Sequence, residues 1–297
     1  MAEEKTILVT GANGQLGKEF RSLAAQYPQY HFLFAGKENL AIENTEAIRK
    51  YFAENTINFC VNCAAYTAVD KAETEKEKAF LINAAAVGNL AAVCETFKTQ
   101  LIHISTDYVF DGTAQQPYKE TDATNPVSVY GKSKLQGEQL ALQNNPSTII
   151  IRTSWVFSSF GNNFVKTMLR LMKERESINV VNDQLGCPTY AADLAACIME
   201  IIKKYSMFNS EYNPEHSRRA IFNFCNAGAV SWYQFASAIK ELTGSACIVN
   251  PIPSSQYPTP VKRPEYSVLD TVKIKDTFAV TIPGWEESLA KCLKLIS

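Results

Sequence analysis

Strand-like and helix-like segments alternate along the first half of the sequence, which predicts an α/β fold with a parallel sheet covered by helices on both faces. A glycine-rich turn at the first strand–helix junction, residues 10–17, indicates that the sheet is doubly wound and of the Rossmann type. The second half has helices separated by short strands only. This change of pattern predicts a smaller α+β lobe that binds a substrate.

Apolar, β-branched runs predict the strands of the first half at residues 5–10, 31–35, 58–63, 100–105 and 147–152. A helix follows the glycine turn to about residue 26, and further helices are predicted over residues 44–55, 77–97 and 128–143. Asn44 or Thr45 would begin the second helix, because a short polar side chain can accept hydrogen bonds from the first turn.

The residue pattern of the second half predicts helices near residues 162–175, 188–205, 231–243 and 285–295. It also predicts short strands near residues 178–181, 221–225 and 247–249. Residues 206–219 are polar and read as a surface loop, and residues 250–266 contain five prolines and must be largely extended. We expect residues 1–155 to form a dinucleotide-binding domain. Residues 156–297 would form mainly the substrate-binding lobe, partly threaded back through the first domain.

The composition is that of an ordinary globular protein, with 46% hydrophobic and 20% charged residues among 297. A net charge of −1 argues against nucleic-acid binding, which needs a basic face. The acidic start lacks the features of a secretory signal, and no apolar run approaches the roughly 18 residues of a membrane span. We therefore expect a cytoplasmic protein without a membrane or nucleic-acid partner.

The cysteines are scattered through apolar segments, which is typical of small core residues in a reducing compartment. They stand at positions 60, 63, 94, 187, 197, 225, 247 and 292. Cys60 and Cys63 form a C-x-x-C motif, but the surrounding run reads as a strand. Residues three apart on a strand point to opposite faces, so we do not expect this pair to bind a metal.

The glycine turn contains Gly11, Gly14 and Gly17, a G-x-x-G-x-x-G pattern between a strand and a helix. Glycines allow the backbone to approach a pyrophosphate, whose charge is stabilised by the helix N-terminus. The pattern could also be a plain tight turn. Its position at the first strand–helix junction favours dinucleotide binding.

The end of the second strand bears on the choice of coenzyme. An acid at this point would hold the adenosine 2′-hydroxyl of NADH. The strand ends Phe34-Ala35-Gly36-Lys37, and Glu38 comes only afterwards. Because Lys37 could meet a 2′-phosphate, the sequence favours NADPH weakly over NADH.

Tyr130 and Lys134 form a Y-x-x-x-K pair, and residues four apart share one face of a helix. A phenol is a poor acid–base group at neutral pH, but a neighbouring ammonium would lower its pKa. Tyr130 could then donate a proton to a carbonyl oxygen while a hydride reaches the carbon. An exposed amphipathic helix would give the same pair by chance, with Lys132 on another, solvated face.

The fourth strand ends in Ser105, Thr106 and Asp107, at the edge where open α/β sheets bind ligands. A hydroxyl at this place could hydrogen-bond the developing oxyanion beside Tyr130. Both hydroxyls could instead only cap the strand. His103 lies inside the strand and reads as a packed structural residue.

These motifs together resemble the extended short-chain dehydrogenase/reductase family, and longer strings resemble its dTDP-4-dehydrorhamnose reductases. The strings cover nearly the whole chain in order. They are VNCAAYTAVDKAE at 61–73, STDYVF at 105–110, VYGKSK at 129–134, RTSWV at 152–156, GNNF at 161–164, NDQLGCPT at 182–189 and YPTPVKRP at 257–264.

The resemblance implies NAD(P)H-dependent reduction of the C4 keto group of a dTDP-sugar, with residues carried over by motif. The implied catalytic residues are Thr106, Tyr130 and Lys134. The implied substrate-binding residues are Asp107, Trp155, Asn163 and Arg263, although Trp155 could be a core residue and Arg263 a surface one. The implied cofactor-binding residues are Gly11, Gly14, Gln15, Leu16, Gly17, Ala64, Ala65, Tyr66, Tyr130 and Lys134.

The chain departs from the family pattern at several places. After the second strand, Asn39-Leu40-Ala41-Ile42 replaces a run that carries aspartates in many members. Some members dimerise around a metal held by glutamates. Glu19 and Glu286 match two such positions but Ala192 does not match the third, so we expect no metal. A homodimer remains one option.

Two other functions remain open. The chain could be another nucleotide-sugar reductase or epimerase, since epimerases of the family share the tyrosine–lysine pair. It could also be a non-catalytic regulatory subunit that binds a dinucleotide. The presence of Thr106, Tyr130 and Lys134 argues against pure binding.

Overall fold

The structure is a computed structural model that describes residues 4–207 and 220–296. The strands in these ranges are β1 Lys5–Thr10, β2 Tyr30–Ala35, β3 Phe59–Asn62, β4 Gln100–Thr106, β5 Ile149–Thr153, β6 Val156–Phe157, β7 Ser177–Val181, β8 Leu185–Gly186, β9 Thr189–Tyr190, β10 Ala220–Asn223, β11 Val230–Ser231, β12 Ile248–Ile252 and β13 Tyr266–Ser267. The helices are α1 Gln15–Leu23, α2 Thr45–Glu54, α3 Val69–Ala72, α4 Lys76–Phe80, α5 Ala86–Thr96, α6 Val129–Asn144, α7 Phe164–Glu174, α8 Ala191–Met207, α9 Trp232–Thr243, α10 Val272–Phe278 and α11 Trp285–Ile296.

The largest sheet has six parallel strands in the order β10-β5-β4-β3-β1-β2. The chain runs outward from β1 to β2 and then crosses to β3 on the other side of β1. Because the loops after β1 and β3 leave in opposite directions, a crevice opens between them at the carboxyl edge of the sheet. This topology confirms the predicted doubly wound, Rossmann-type fold.

Alternate residues of β1 belong to different cores, as expected for a strand covered on both faces. Ile7 and Val9 pack in a cluster with α1 and α8, including Phe20 and Leu194. Leu8 faces the opposite side and packs in a cluster with α2 and α5. The sheet is therefore the middle layer of three.

The smaller lobe has its own hydrophobic core between α7, α9 and α11, with Val165, Phe235 and Leu289 fully buried. The parallel pair β7–β12 lies beside it. Strand β10 also comes from the second half of the chain, but it pairs with β5 at the edge of the large sheet.

Most predicted elements are confirmed, and Asn44 caps α2 by accepting a hydrogen bond from the Ala47 nitrogen at 3.0 Å. The sequence did not predict the two-residue strands or α10. These strands are too short to carry a periodic pattern, and their pairing depends on tertiary packing. The predicted polar loop lies mostly at 208–219, outside the described residues.

The segment Lys76–Thr96 is long and apolar enough to cross a membrane by composition alone, with a mean hydropathy of 1.4. The expectation that no run approaches a membrane span was therefore wrong. In the fold this segment comprises α4, a wide helical turn at Leu81–Ala85 and α5. Buried residues make up 56% of its apolar window, since α5 packs under the sheet.

The eight cysteines are all free thiols. Cys60 lies in the cluster with Leu8, whereas Cys63 packs against the cluster with Ile7, so the two thiols of the C-x-x-C motif are on opposite faces of the sheet. This confirms the prediction that the two side chains point to opposite faces of the strand.

Candidate active site

The glycine turn lies where the loops after β1 and β3 meet. Gly11 has a φ of 61°, and a Cβ there would lie 2.6 Å from the backbone nitrogen of Ala64. Only glycine suits this position, because a side chain would strain the backbone and collide with the neighbouring loop. Gly17 allows helix packing, since a Cβ there would lie 2.5 Å from Cα of Ala12. Gly14 is the N-cap of α1.

A cavity of about 740 Å³, here called the first cavity, runs along the carboxyl edge from the end of β2 to the start of α6. Of the predicted cofactor residues, it is lined by Gly11, Gly14, Gln15, Leu16, Ala64, Ala65, Tyr130 and Lys134. Gly17 is not part of the lining and neither is Tyr66, whose backbone N–H and C=O are bonded to the Asn83 side chain. The structure therefore gives Gly17 and Tyr66 supporting positions behind the cavity, not in its wall.

The adenosine end of a dinucleotide would lie near Lys37 and Glu38, which both line the first cavity. Lys37 Nζ forms an ion pair with Glu43 Oε1 at 2.9 Å. The Glu38 carboxylate turns back over Gly36 and accepts a hydrogen bond from Asn13 Nδ2 at 2.9 Å. A hydrogen bond from its own backbone, together with the one from Asn13, holds the pKa of Glu38 below its ordinary value.

Tyr130 lies in the first turn of α6, as predicted, because Ser128 caps this helix by accepting a hydrogen bond from the Gly131 nitrogen at 3.0 Å. Burial raises the pKa of the Tyr130 phenol, an interaction with Thr106 opposes the rise, and the charge of Asp107 adds to it. The expectation that Lys134 lowers this pKa was wrong for this structure, because the Lys134 amine is turned towards β4.

Lys134 is 2% exposed, and its Nζ donates a hydrogen bond to the Ile104 carbonyl oxygen at 2.7 Å. Nζ also lies 3.4 Å from Nε2 of His103, which is fully buried as expected for a packed residue. Burial lowers the pKa of Lys134 to about 8, although the charges of Glu138 and Cys63 act in the opposite direction.

Thr106 and Asp107 lie side by side at the end of β4, and both are about 95% buried. Thr106 Oγ1 donates a hydrogen bond to Asp107 Oδ1 at 2.9 Å and accepts one from the Tyr108 nitrogen at 3.2 Å. Asp107 Oδ2 has no hydrogen-bond partner within the part of the chain that the structure describes. Burial raises the pKa of the Asp107 carboxyl to about 7, against opposing interactions with Thr106, the backbone and the Ser267 side chain.

A second cavity of about 570 Å³ adjoins the first and shares Asp107, Tyr108 and Trp155 with it. Trp155 follows β5 with a φ of 47°, an unusual backbone conformation for a bulky residue. Its indole stacks on that of Trp232, and a Cβ on Gly186 would lie only 2.4 Å from Trp155 Cε2. Trp155 is therefore held between two other segments at the junction of the cavities.

Arg263 lines the second cavity from the proline-rich segment. Its Nη2 lies 2.6 Å from Asp70 Oδ2, and its Nη1 donates a hydrogen bond to the Tyr108 hydroxyl at 3.3 Å. Arg175 also lines this cavity. Two arginine residues therefore line this cavity.

Asn163 lies outside the lining of both cavities. It caps α7 by accepting a hydrogen bond from the Lys166 nitrogen, and its Nδ2 donates to Gln15 Oε1 at 2.9 Å and to the Ser158 carbonyl oxygen at 2.7 Å. The substrate role expected for Asn163 stays a prediction, and in this structure its side-chain polar atoms are bonded to the protein itself.

Several cavity residues were not predicted, above all Glu38, Tyr108 and Trp232. Tyr108 stood inside a matched string, and Glu38 directly follows β2, so both had a signal in the sequence. The sequence held no signal for Trp232, since this residue begins a helix of the smaller lobe, far from the matched site strings in the chain. A third cavity, lined by Lys5, Asn58 and Lys98 among others, opens near the amino ends of the strands, away from Tyr130.

Comparisons with known proteins agree along nearly the whole chain. The family model described as RmlD substrate binding domain matches residues 5–297. The chain is 40% identical to a dTDP-4-dehydrorhamnose reductase of Aggregatibacter actinomycetemcomitans over 289 residues, which cover 95% of this chain and 96% of that protein. A reductase of the same name from Sinorhizobium fredii is 41% identical over 286 residues, 95% of this chain and 94% of that protein.

A solved structure shares the fold closely. The dTDP-4-dehydrorhamnose reductase of Clostridium acetobutylicum superposes with a TM-score of 0.90 at 39% identity, covering 98% of this chain and 99% of that one. That of Bacillus anthracis, in complex with NADP, gives a TM-score of 0.90 at 35% identity with the same coverage. From the family model, the curated relatives and the shared architecture together, the chain belongs to the RmlD substrate binding domain family.

Proposed function

We propose that this protein is an NAD(P)H-dependent dTDP-4-dehydrorhamnose reductase, which reduces the C4 ketone of dTDP-4-dehydro-L-rhamnose to give dTDP-L-rhamnose. Relatives of 40% and 41% identity over 95% of the chain carry this reductase name. The observation that carries the proposal is the junction of the two cavities. There Tyr130 and Thr106 border a cavity with a dinucleotide-binding turn at one end and a substrate-sized cavity beside it.

The first cavity fits a nicotinamide dinucleotide. A Cβ on Gly11 would enter the next loop, so the turn brings bare backbone up to the cavity, and the N-terminus of α1 can stabilise a pyrophosphate. Gly14, Gln15, Leu16, Ala64 and Ala65 would hold the dinucleotide, and Lys134 the nicotinamide ribose. When bound, the reduced nicotinamide supplies the hydride for C4 of the sugar.

Tyr130 would donate its proton to the ketone oxygen as that oxygen gains charge. Its raised pKa keeps the phenol protonated at neutral pH, as a proton donor in a reduction requires. The Thr106 hydroxyl would orient the same oxygen. The ketone gains a hydride and a proton and becomes an alcohol, while the nicotinamide is oxidised.

The second cavity would hold the nucleotide sugar. Asp107 Oδ2 is a buried, unpaired acceptor at the junction, suited to a sugar hydroxyl. Trp155 offers an indole face for the sugar or base. Arg263 would meet the diphosphate, since a guanidinium binds such oxygens through two parallel hydrogen bonds. Arg263 would then give up its ion pair with Asp70 in order to bind the ligand.

For the coenzyme, we propose NADH over NADPH, which reverses the weak preference drawn from Lys37. Two features support the reversal. The Glu38 carboxylate is directed over Gly36 into the first cavity, where it can accept a hydrogen bond from a ribose 2′-hydroxyl and would repel a 2′-phosphate. Lys37 is already paired with Glu43.

The test is an absorbance assay at the nicotinamide band with the keto-sugar and either coenzyme, followed by product analysis. We expect turnover to dTDP-L-rhamnose, faster with NADH. A panel of other nucleotide sugars distinguishes the alternatives. Faster conversion of another sugar would assign a different reductase or epimerase, and coenzyme binding without any turnover would assign a regulatory subunit.

The cellular setting follows from the same proposal. A dTDP-sugar is the substrate partner, and we propose that the enzyme works in the cytoplasm without nucleic acid or membrane as partner. Light scattering on the purified protein tests whether it forms a homodimer.

A further inference from the structure

Gln184 presents a buried amide to the second cavity. The residue is 8% exposed and belongs to the lining of that cavity. Its side chain forms no hydrogen bond within the residues that the structure describes. Burying an amide that lacks a partner costs free energy, because the group gives up its hydrogen bonds to water. An unused amide in the wall of a cavity therefore indicates a ligand that supplies the missing bonds.

The backbone on both sides of Gln184 is held in place. The Leu185 nitrogen donates a hydrogen bond to the Glu265 carbonyl oxygen at 2.8 Å. The Asp183 carboxylate accepts one from the Ser254 nitrogen at 2.9 Å. Both partners come from the proline-rich segment. The amide is thus carried by a fixed frame, which reduces the conformational entropy that is lost when a ligand binds.

The Gln184 side chain lies on the same side of its segment as Gly186. Successive residues of an extended chain point to opposite faces, and Leu185 between the two is 39% exposed. A Cβ on Gly186 would lie 2.4 Å from Trp155 Cε2 and 2.7 Å from Ser267 Oγ. The amide therefore faces the side of Trp155, and its residue lies about 6.5 Å along the chain from Gly186.

Asp107 lies near the other end of this short wall. Ser267 pairs with Gly186 in the register of β8 and β13, and the Ser267 side chain interacts with the Asp107 carboxyl. Asp107 Oδ2 is a buried acceptor without a hydrogen-bond partner in the described part of the chain. Asp107 lines both cavities, whereas Gln184 lines only the second. An acceptor thus lies at the junction, and an amide lies further from it.

A third unpaired atom in the same cavity, Asp70 Oδ1, has a different setting. The other oxygen of this carboxylate lies 2.6 Å from Arg263 Nη2, so its charge is already balanced by a cation. Asp70 would repel the diphosphate that Arg263 is proposed to bind. This leaves Asp107 and Gln184 for the neutral part of a nucleotide sugar.

These two groups match the two hydroxyls of the proposed substrate. The sugar ring of 4-dehydrorhamnose carries free hydroxyls at C2 and C3 beside its C4 ketone. Thr106 is proposed to orient the ketone oxygen, and Asp107 is its neighbour in the chain, so Asp107 suits the hydroxyl at C3. Gln184, further from the junction, suits the one at C2. A carboxylate only accepts hydrogen bonds, whereas an amide both donates and accepts, and a hydroxyl can satisfy either group.

We propose that Gln184 is a specificity-determining residue that binds the C2 hydroxyl of the sugar, while Asp107 binds the C3 hydroxyl. This inference rests on the proposed function and names the part of the substrate that the amide recognises. A site built to hydrogen-bond a hydroxyl rejects an analogue that lacks it, because the buried groups of the site are then left unpaired. Gln184 thereby selects among sugars and adds little to binding of the nucleotide.

The first test is calorimetric binding of dTDP-L-rhamnose and of dTDP in the presence of saturating reduced coenzyme. The product cannot react with reduced coenzyme, so binding is measured without turnover. In Gln184→Leu we expect Kd for dTDP-L-rhamnose to rise about tenfold and Kd for dTDP to change by less than about twofold. Leucine has a similar size, and a normal affinity for dTDP shows that the cavity of the variant is intact.

The second test repeats these titrations with dTDP-2-deoxy-L-rhamnose, which completes a double-mutant cycle between the amide and the hydroxyl. The native protein and Gln184→Leu should bind this analogue equally, since the partner of the amide is missing. A difference as large as that for dTDP-L-rhamnose would overturn the proposal, because Gln184 would then act indirectly.

Two other results of the first test would also overturn it. An equal loss of affinity for dTDP and dTDP-L-rhamnose would assign the amide to the nucleotide. Unchanged affinity for both would mean that Gln184 only fills space. Asn182→Ala is the matched control, since it changes an exposed residue of the same segment and should alter neither Kd. A tenfold effect of this control would assign the loss to the segment and not to the amide.

Failure of the proposed function gives a different result from failure of this inference. If the native protein binds dTDP-L-rhamnose no more tightly than dTDP, the sugar assignment itself is wrong, and the role of Gln184 falls with it. If the native protein prefers dTDP-L-rhamnose and Gln184→Leu keeps the same preference, only the role of Gln184 is wrong.

Discussion

The indole rings of Trp155 and Trp232 stack with their centroids 3.4 Å apart and their planes 6° apart. Trp155 follows a strand of the large sheet, whereas Trp232 is the first residue of α9 in the smaller lobe. The stack therefore connects the carboxyl edge of the large sheet to the smaller lobe, and it forms part of the wall of the second cavity.

Replacing Trp232 should weaken sugar binding without affecting the coenzyme. In Trp232→Leu the Trp155 ring loses its stacking partner, so we expect KM for the nucleotide sugar to rise about tenfold, which corresponds to about 1.4 kcal/mol. The coenzyme Kd should be unchanged. Trp232→Phe keeps an aromatic face and should recover most of the affinity. Steady-state kinetics measure KM for the sugar, and a coenzyme titration measures the coenzyme Kd. A change in the coenzyme Kd without a change in KM for the sugar would contradict a role of Trp232 in sugar binding.

Removing the Tyr130 hydroxyl should stop the chemistry and spare binding. We expect Tyr130→Phe to lower kcat by about 10² to 10⁴, the usual contribution of a general acid. Coenzyme binding should stay within about twofold, because the ring and its packing against Tyr108 remain. Near-normal turnover would exclude Tyr130 as the proton donor. Lys132→Ala, which changes an exposed residue of the same helix, is the control and should alter neither kcat nor coenzyme binding.

Asp107 should destabilise the folded protein at high pH. Its carboxyl titrates near 3.9 in an unfolded chain and at about 7 in the fold. The folded state thus binds more protons between these values, and stability falls as pH rises through this window. Asp107→Asn removes the effect and should be more stable than the native protein at pH 8, by at most about 4 kcal/mol.

Chemical denaturation of Asp107→Asn and native protein at about pH 4 and pH 8 checks this sign. The difference between them should be larger at the higher pH. An equal difference at both pH values would mean that the buried carboxyl is not responsible. The variant should also bind the sugar more weakly, because Oδ2 is lost as a charged acceptor.

Glu38 should determine the coenzyme ratio. Glu38→Gln removes the charge that would repel a 2′-phosphate, so we expect kcat/KM for NADPH relative to NADH to rise about tenfold. Lys37→Gln is the matched control, and it should change the ratio little because Lys37 is paired with Glu43. A larger effect in the lysine variant would restore the NADPH preference that the sequence suggested.

Gly11 and Gly244 have nearly the same φ but different surroundings. Alanine variants at these two positions therefore distinguish the effect of backbone strain from the effect of a steric clash. Gly11 has a φ of 61° and no room for a Cβ, whereas Gly244 has a φ of 63° with nothing within 4 Å of that position. Gly244→Ala should cost about 1 kcal/mol of stability and keep full activity. Gly11→Ala should lose coenzyme binding as well. Thermal unfolding and a coenzyme titration distinguish the two effects.

The layers of the fold could be predicted because β1, β3 and β5 contain continuous apolar runs, which are typical of strands buried on both faces. The cap at Asn44 and the start of α6 before Tyr130 also followed from local chemistry. The two-residue strands β8 and β11 could not be predicted. Their pairing brings Leu185 beside Ser231, and no local pattern records a contact over that distance.

Site residues that end a strand or begin a helix, such as Thr106 and Tyr130, could be found from their position in the sequence. Trp232 could not, because its place beside Trp155 depends on how the lobes pack. The sequence correctly predicted that Tyr130 and Lys134 lie four residues apart on one helix. The direction of the Lys134 amine could not be predicted, because it depends on contacts with His103 and Ile104 of β4. Because a pKa is determined by such neighbours, the sequence predicted a lowered pKa for Tyr130, whereas burial raises it.

Strand β10 has a consequence for how the chain is made. Its residues Ala220–Asn223 pair with β5, so the outer edge of Ile149–Thr153 has no partner until some seventy residues later in the chain. A nascent or truncated chain ending near residue 155 would expose three consecutive isoleucines on an open strand, which invites intermolecular pairing. The coenzyme-binding half should therefore aggregate when expressed alone, and it becomes safe from aggregation only once synthesis has passed Asn223.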